Sequence, residues 1–232
     1  MLRYKLSTNS IIYRLNRKLC RYLQILMAFK RTIIASASED RLENLILERL
    51  RPGADKEKID QRIWDLFGEM WCIMFTDLSG FSRGVEKFGI IHFLQTIQES
   101  ERVLVPIIEE NDGILLKSEG DSFLVIFRNV AKGISAAIKM QRELVEYNVN
   151  KIPEEKILLC VGLGFGRVLK IGDLDVFGSE VNTASKLGED TAESGEILVT
   201  QGVFENSQDM GLKFEALEHA PAGTSKAYKL LY

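Results

Sequence analysis

From Glu69 onward the sequence switches repeatedly between two-residue and 3.6-residue hydrophobic periods, and the order of those switches leaves few folds open. Met70 to Thr76 is an apolar run of strand character. A short helical turn near Val85 and a long helical pattern from about Ile90 to Asn111 come next. The turn Asn111-Asp112-Gly113 opens a strand, ILLKSEG, and DSFLVIF makes the following one. A second helix runs from about Val130 to Tyr147 and is broken before Pro153. KILLCVGLGFG and RVLKIG read as a second hairpin, and Ser179 to Thr191 as a helix. EILVT, LKFEAL and AYKLLY supply closing strands.

The order β-α-β-β-α-β predicts an α+β domain over 69–232, a ferredoxin-like antiparallel sheet with its helices packed on one face. The run Gly162-Leu163-Gly164-Phe165-Gly166 superficially matches a dinucleotide fingerprint. That motif needs a helix directly after its glycines, and here a strand follows. Helices precede the domain. SASEDRLENLILERL carries a capping box from Ser36 to Glu39, and Arg51-Pro52-Gly53 breaks it. DKEKIDQRIWDLFG forms a second short helix, capped at Asp55 and stopped at Gly68. Residues 36–68 are thus a helical lead-in or dimerisation element.

Charge sets residues 1–35 apart. Met1 to Arg31 holds eight Lys or Arg and no acid, which leaves 22 basic against 33 acidic residues in the rest. Between Ser10 and Lys30, Ile11, Leu15, Leu19, Tyr22, Leu26 and Phe29 recur at helical spacing with arginines and lysines between them. Two readings stand for this basic amphipathic extension: a membrane-surface or partner-docking helix over residues 10–30, or sequence upstream of a true start at Met27. The formal net charge of -3 gives no sign of a nucleic-acid partner. Cys20, Cys72 and Cys160 show no metal-ligand spacing, and their odd number suits a reduced intracellular protein. His92 and His219 fit no catalytic or zinc pattern. No apolar run is long enough to span a bilayer, and arginines interrupt the segment where a signal peptide would sit. The expected location is cytoplasmic, peripheral to a membrane if the basic helix docks there.

Within the domain, MWCIMFTDLSGFS drives a carboxylate, Asp77, to the tip of an apolar strand. A second, Asp121, stands at the turn between the next two strands. Alone, each reads as a turn residue. In a βαββ unit they meet at one sheet edge, where two carboxylates repel unless a cation lies between them. Oxygen-only ligands favour Mg²⁺ or Mn²⁺ over zinc. Leu78-Ser79-Gly80-Phe81 then offers backbone groups as a cradle for phosphate oxygens.

At these residues the chain resembles the class III nucleotidyl cyclases. FTDLSGFS is similar to the family's first metal motif, and LLKSEGDSF to the segment with its second metal aspartate and a base-reading lysine. DLDVFGSEVNTASKLGED resembles its base- and ribose-binding segment. The resemblance covers about Trp71 to Tyr232 and implies a homodimer with active sites at the interface. One subunit would supply Asp77 and Asp121 for two metal ions, the other Lys117 and Asp175 for the base and Asn182 for the ribose. It further implies attack by the ribose 3′-oxygen on the α-phosphate, with Lys186 near the reacting phosphate. Asn182 and Lys186, four apart, share a helix face. Adenine's N6 amino group and N1 suit an acceptor at Asp175 and a donor at Lys117, whereas guanine presents the opposite pattern. ATP is therefore the expected substrate, and cyclic AMP the product.

Three cationic positions depart from the resemblance. Lys186 stands for a usual arginine, keeping charge but losing the bidentate fork. Cys160 replaces a phosphate-binding arginine, and Ala222 a lysine. Each lost preorganised donor costs ~3–4 kcal/mol of transition-state stabilisation, unless Lys170, Lys226 or Lys229 substitutes. The sequence thus supports an adenylate cyclase, slow and preferring Mn²⁺, or a cyclase-like nucleotide-binding or regulatory module without turnover. The Lys117–Asp175 pair disfavours a guanylate cyclase.

Overall fold

The computed structural model describes residues 37–79, 88–221, 223, 224 and 226–232. The expected basic helix over 10–30, the Ser36 cap and the turn near Val85 lie outside them. The chain divides into two compact units, 1–63 and 64–232.

In the first unit, helix α1 (Ala37–Arg49) is followed by α2 (Lys56–Phe67), which continues into the second unit. Asp55 caps α2 by accepting from the N–H of Lys58 at 3.1 Å. Arg49 grips Asp60 with two parallel hydrogen bonds of 2.6 and 3.1 Å, and Arg62 reaches Glu48 at 2.8 Å. The expected helical pair is present, with the expected break between its members.

In the second unit, β1 (Gly68–Leu78) is followed by α3 (Ile90–Glu110), β2 (Ile114–Glu119), β3 (Ser122–Phe127) and α4 (Val130–Tyr147). Then come β4 (Leu159–Ile171), β5 (Asp175–Phe177), α5 (Ser179–Ser185) and β6 (Ile197–Thr200). Helix α6 (Gln201–Glu205) and strands β7 (Lys213–Ala216) and β8 (Ala227–Leu231) complete it. The eight strands form one sheet in the order β2-β3-β1-β4-β6-β8-β7, with β5 also pairing β4. Strand β1 is central because nearly every residue from Trp71 to Met74 is fully buried, the mark of a strand covered on both faces.

The α+β class and the βαββαβ core are as the sequence implied, with three corrections. First, the sheet is mixed, since β4 and β6 run parallel. Second, β4 is one strand of 13 residues, not two halves of a hairpin. Its hairpin partner is the short β5. Third, helices occupy both faces. Leu104 and Ile108 of α3 and Ile134 and Met140 of α4 share a core with Cys72 and Met74. Val181 and Ala184 of α5 pack instead with Trp71, Ile73, Leu124 and Ile126 on the other side.

The glycines of β4 explain the second and third corrections together. A Cβ on Gly162 would sit 2.2 Å from the Ala184 carbonyl oxygen, and one on Gly164 2.7 Å from that of Glu180. These glycines do not turn the chain; they let a helix lie directly on the strand. Gly162→Val is therefore expected to lower the melting temperature by roughly 4–10 °C, through overpacking of ~1–3 kcal/mol. Thermal unfolding checks this, and an unchanged midpoint would contradict the close contact.

Candidate active site

Asp77 owes its place to the unequal reach of β1's two neighbours. On one side β4 stays paired through Asp77↔Cys160 and Leu78↔Leu159. On the other, β3 stops at Thr76↔Phe123, where the Thr76 hydroxyl accepts the Phe123 N–H at 3.2 Å. The β2–β3 turn, with Gly120 at φ 62° and then Asp121, thus overhangs the Asp77 carboxylate. Ser122 donates to Asp77 Oδ1 at 3.3 Å. Burial and then the charge of Asp121 push Asp77 up to about 6. Asp121 is likewise raised by burial, although its own backbone N–H and a hydrogen bond from Asp77 act the other way. The two carboxyls are near enough for each to act on the other's titration. Glu189 adds a further negative charge on Asp77. A hard divalent cation fits this pair, because both donors are oxygens and the charges acting on Asp77 are themselves negative. Among the described residues no cluster of three or more His, Cys, Asp or Glu forms a fuller metal cage.

The rest of the expected phosphate cradle is only partly visible. Leu78 is buried, and the Ser79 N–H is spent on the Leu158 carbonyl at 2.8 Å. The Ser79 hydroxyl hydrogen-bonds Cys160, whose thiol burial and the charge of Asp77 push up to about 11. Gly80, Phe81 and Ala222 lie outside the described residues.

Lys117 on β2 and Asp175 on β5 form an ion pair at 2.7 Å, and Asp175 also accepts the Val176 N–H at 2.9 Å. In a flat sheet β3, β1 and β4 would separate them, a gap of ~19 Å. The contact exists because the β4–β5 hairpin curls over the sheet face, which also brings Val176 into the cluster of Leu124 and Ile126. Asn182 is exposed on α5, and Lys186 is half-buried where α5 passes into a π-helical segment, Lys186–Thr191. The candidate substitute cations are occupied or exposed. Lys170 donates to Asp173 at 2.8 Å, Lys229 pairs with Glu196, and Lys226 lies in solvent.

Sequence reasoning missed Ser122, Glu189 and Glu180. The first was available from period two, since Ser122 shares a face with Leu124 and Ile126. Glu189 depends on the π segment, which no periodicity reveals. Glu180 takes up the Phe165 N–H and the Thr200 hydroxyl, and nothing local marks it.

The model of the adenylate and guanylate cyclase catalytic domain matches residues 68–228. The chain belongs to that family. This cyclase domain is 29% identical over 132 residues to the serine/threonine-protein kinase pkn2 of Myxococcus xanthus, covering 56% of this chain and 16% of that one. It is 28% identical over 178 residues to receptor-type guanylate cyclase gcy-14 of Caenorhabditis elegans, covering 70% and 16%. The chain therefore spans about a sixth of these relatives' length. The adenylate/guanylate cyclase/hydrolase from Silicibacter pomeroyi has the same fold, with a TM-score of 0.62 at 23% identity over 71% of this chain and 98% of that one.

Titration of the cyclase domain's carboxyl pair has a definite sign. With its folded pKa about 6 against an ordinary 3.8, Asp77 binds more proton folded than unfolded between those values. Metal-free stability therefore falls as pH rises across that window. Asp77→Asn is expected to raise the melting temperature at pH 7.5 by about 2–4 °C after allowance for solvent screening. The gain should vanish near pH 4. A gain that is equal at both pH values would count against the repulsion.

Proposed function

We propose that this domain converts ATP to 3′,5′-cyclic AMP and pyrophosphate, as a homodimer with composite sites, in intracellular signalling. The observation that carries the reading is the Lys117–Asp175 pair at 2.7 Å. It sets a donor beside an acceptor, held in order by the Val176 N–H on the other carboxylate oxygen. Adenine gives its N6 hydrogens to Asp175 and takes a hydrogen bond from Lys117 at N1. In the same pose guanine turns its carbonyl towards Asp175 and its N1–H towards Lys117, and such buried mispairing is costly.

Asp77 and Asp121 would hold Mg²⁺ or Mn²⁺, two ions per site, with Leu78 beside them in the phosphate cradle. When bound, the ions lower the pKa of the ribose 3′-hydroxyl and offset the triphosphate charge. The Ser79 hydroxyl and the backbone of Gly80 and Phe81 line the phosphates. Asn182 orients the ribose, and Lys186 brings positive charge to the α-phosphate as the 3′-oxygen attacks and pyrophosphate leaves. Each half-site is tied together within one chain, Asp77 to Asp121 and Lys117 to Asp175, which supports a division of labour between two subunits. We assign turnover to residues 69–232 and a lead-in role to 36–68. A cytoplasmic setting, with residues 10–30 as a membrane-surface or partner contact, completes the reading. Among the described residues no helix is long and apolar enough to cross a membrane.

A second reading, a nucleotide-binding module without turnover, is favoured by Cys160, a neutral thiol facing Asp77 across the β1–β4 ladder. Purified protein with Mn²⁺ is expected to make cyclic AMP from ATP, with at least roughly tenfold less cyclic GMP from GTP. Cyclic GMP as the main product would overturn the base assignment, and no product from either nucleotide would favour the second reading. Asp77→Ala and Lys117→Ala, each inactive alone, should regain part of the activity when mixed, because one heterodimer site is intact. No recovery despite subunit exchange would refute the shared site.

A further inference from the structure

One carboxylate outside the metal pair and the base readers has an unusual set of partners. Strand β4 is paired with β6 only from Val161 to Leu163, and with β5 only from Leu169 to Ile171. Between these stretches no strand among the described residues pairs with its outer edge. The backbone of Phe165 faces the gap. Its carbonyl lies 2.2 Å from where a Cβ on Gly202 would be, and its N–H is taken by Glu180 Oε2 at 3.1 Å. The same oxygen accepts the Thr200 hydroxyl at 2.7 Å, at the end of β6. The stem of Glu180 occupies the space that a side chain on Gly166 would need, its Cγ lying 2.6 Å from that Cβ position.

Glu180 and Ala184, four apart, face the sheet, whereas Asn182 is exposed on the other side of the same helix. Helix α5 has only seven residues before the π segment, so its own hydrogen bonds fix its orientation weakly. Val181 and Ala184 pack its middle against the sheet, and contacts at its two ends set its angle. The π segment is seated through Gly188, whose added Cβ would meet the Phe75 carbonyl oxygen at 2.8 Å. The other end is seated through Glu180.

We propose that Glu180 is a positioning residue of this site: by filling the gap in β4 it sets the rotation and height of α5, and so the direction in which Asn182 and Lys186 reach. This rests on the cyclase reading for its kinetic consequence but not for its structural one. Two acceptor contacts at a fixed reach are required, and negative charge is not. An amide oxygen at the same reach does the same work, while a carboxylate one methylene shorter does not.

The test compares Glu180→Gln with Glu180→Asp, two conservative changes that keep the fold within reach, in the full chain. Amide hydrogen exchange at Phe165 and Mn²⁺–ATP turnover are both measured. For Glu180→Gln the Phe165 amide stays protected, and kcat stays within about threefold of the parent protein. For Glu180→Asp the amide loses protection, and kcat falls roughly ten- to a hundredfold, the size of effect expected from a displacement of about 1 Å. Its KM for ATP is expected to change far less than kcat, because the base readers and metal carboxylates lie on other elements and only the ribose contact of Asn182 shifts. A Glu180→Asp enzyme with unchanged kcat, or with the loss appearing in KM, overturns the proposal. So does a Glu180→Gln enzyme as impaired as the aspartate. Should the parent protein make no cyclic nucleotide, the functional reading fails, and the Phe165 exchange comparison still decides the clamp.

Discussion

Two negative charges held together at the end of a buried strand are the constraint around which the domain is organised. Asp77 is held beside Asp121 because β1 is paired with β4 through Leu78 and with β3 as far as Thr76. It cannot easily escape to water, because Leu78 and Cys160 beside it are buried. Burial, and after it the charge of Asp121, raises the Asp77 pKa, a cost that a divalent cation would offset. Under the proposed metal assignment, proton and metal would compete for the same oxygens, tying occupancy to pH in the neutral to weakly acidic range.

The proposed base readers depend on a different property, the curl of the sheet. Lys117 and Asp175 belong to strands that a flat sheet keeps apart, and the bend of β4 joins them. Glycine serves both needs. By admitting α5 against β4, Gly162 and Gly164 bring Asn182 and Lys186 over the same face as Asp77, while leaving that long strand thin enough to curl. The departures at Cys160 and Lys186 leave this scaffold intact. In the proposed reaction they would alter the charge available for phosphate, and so bear on rate more than on binding.

Much of the framework was legible in the sequence because period and punctuation agree there. The limits of α4 and the Asp55 cap follow from apolar spacing and capping chemistry, and the approach of Asp77 to Asp121 from their position at strand ends. What failed was the reading of β4. Gly164 and Gly166 look like turn residues locally, and only the later helix explains why side chains are excluded there. The placement of α5 on the opposite face, the Glu180 contacts and the π segment have the same origin. Each is set by a tertiary neighbour rather than by local preference. The grouping of Lys117 with Asp175 came from resemblance first, since spacing along the chain does not bring residues 58 apart together.

The central claim is that Asp77 and Asp121 jointly grip a divalent cation. Electron paramagnetic resonance of Mn²⁺ titrated into the nucleotide-free protein tests it most directly, through the loss of the free-ion signal. The parent protein should take up Mn²⁺ at pH 7.5, and uptake should collapse in Asp77→Asn and in Asp121→Asn alike. Undiminished uptake by a chain carrying both substitutions would contradict the account.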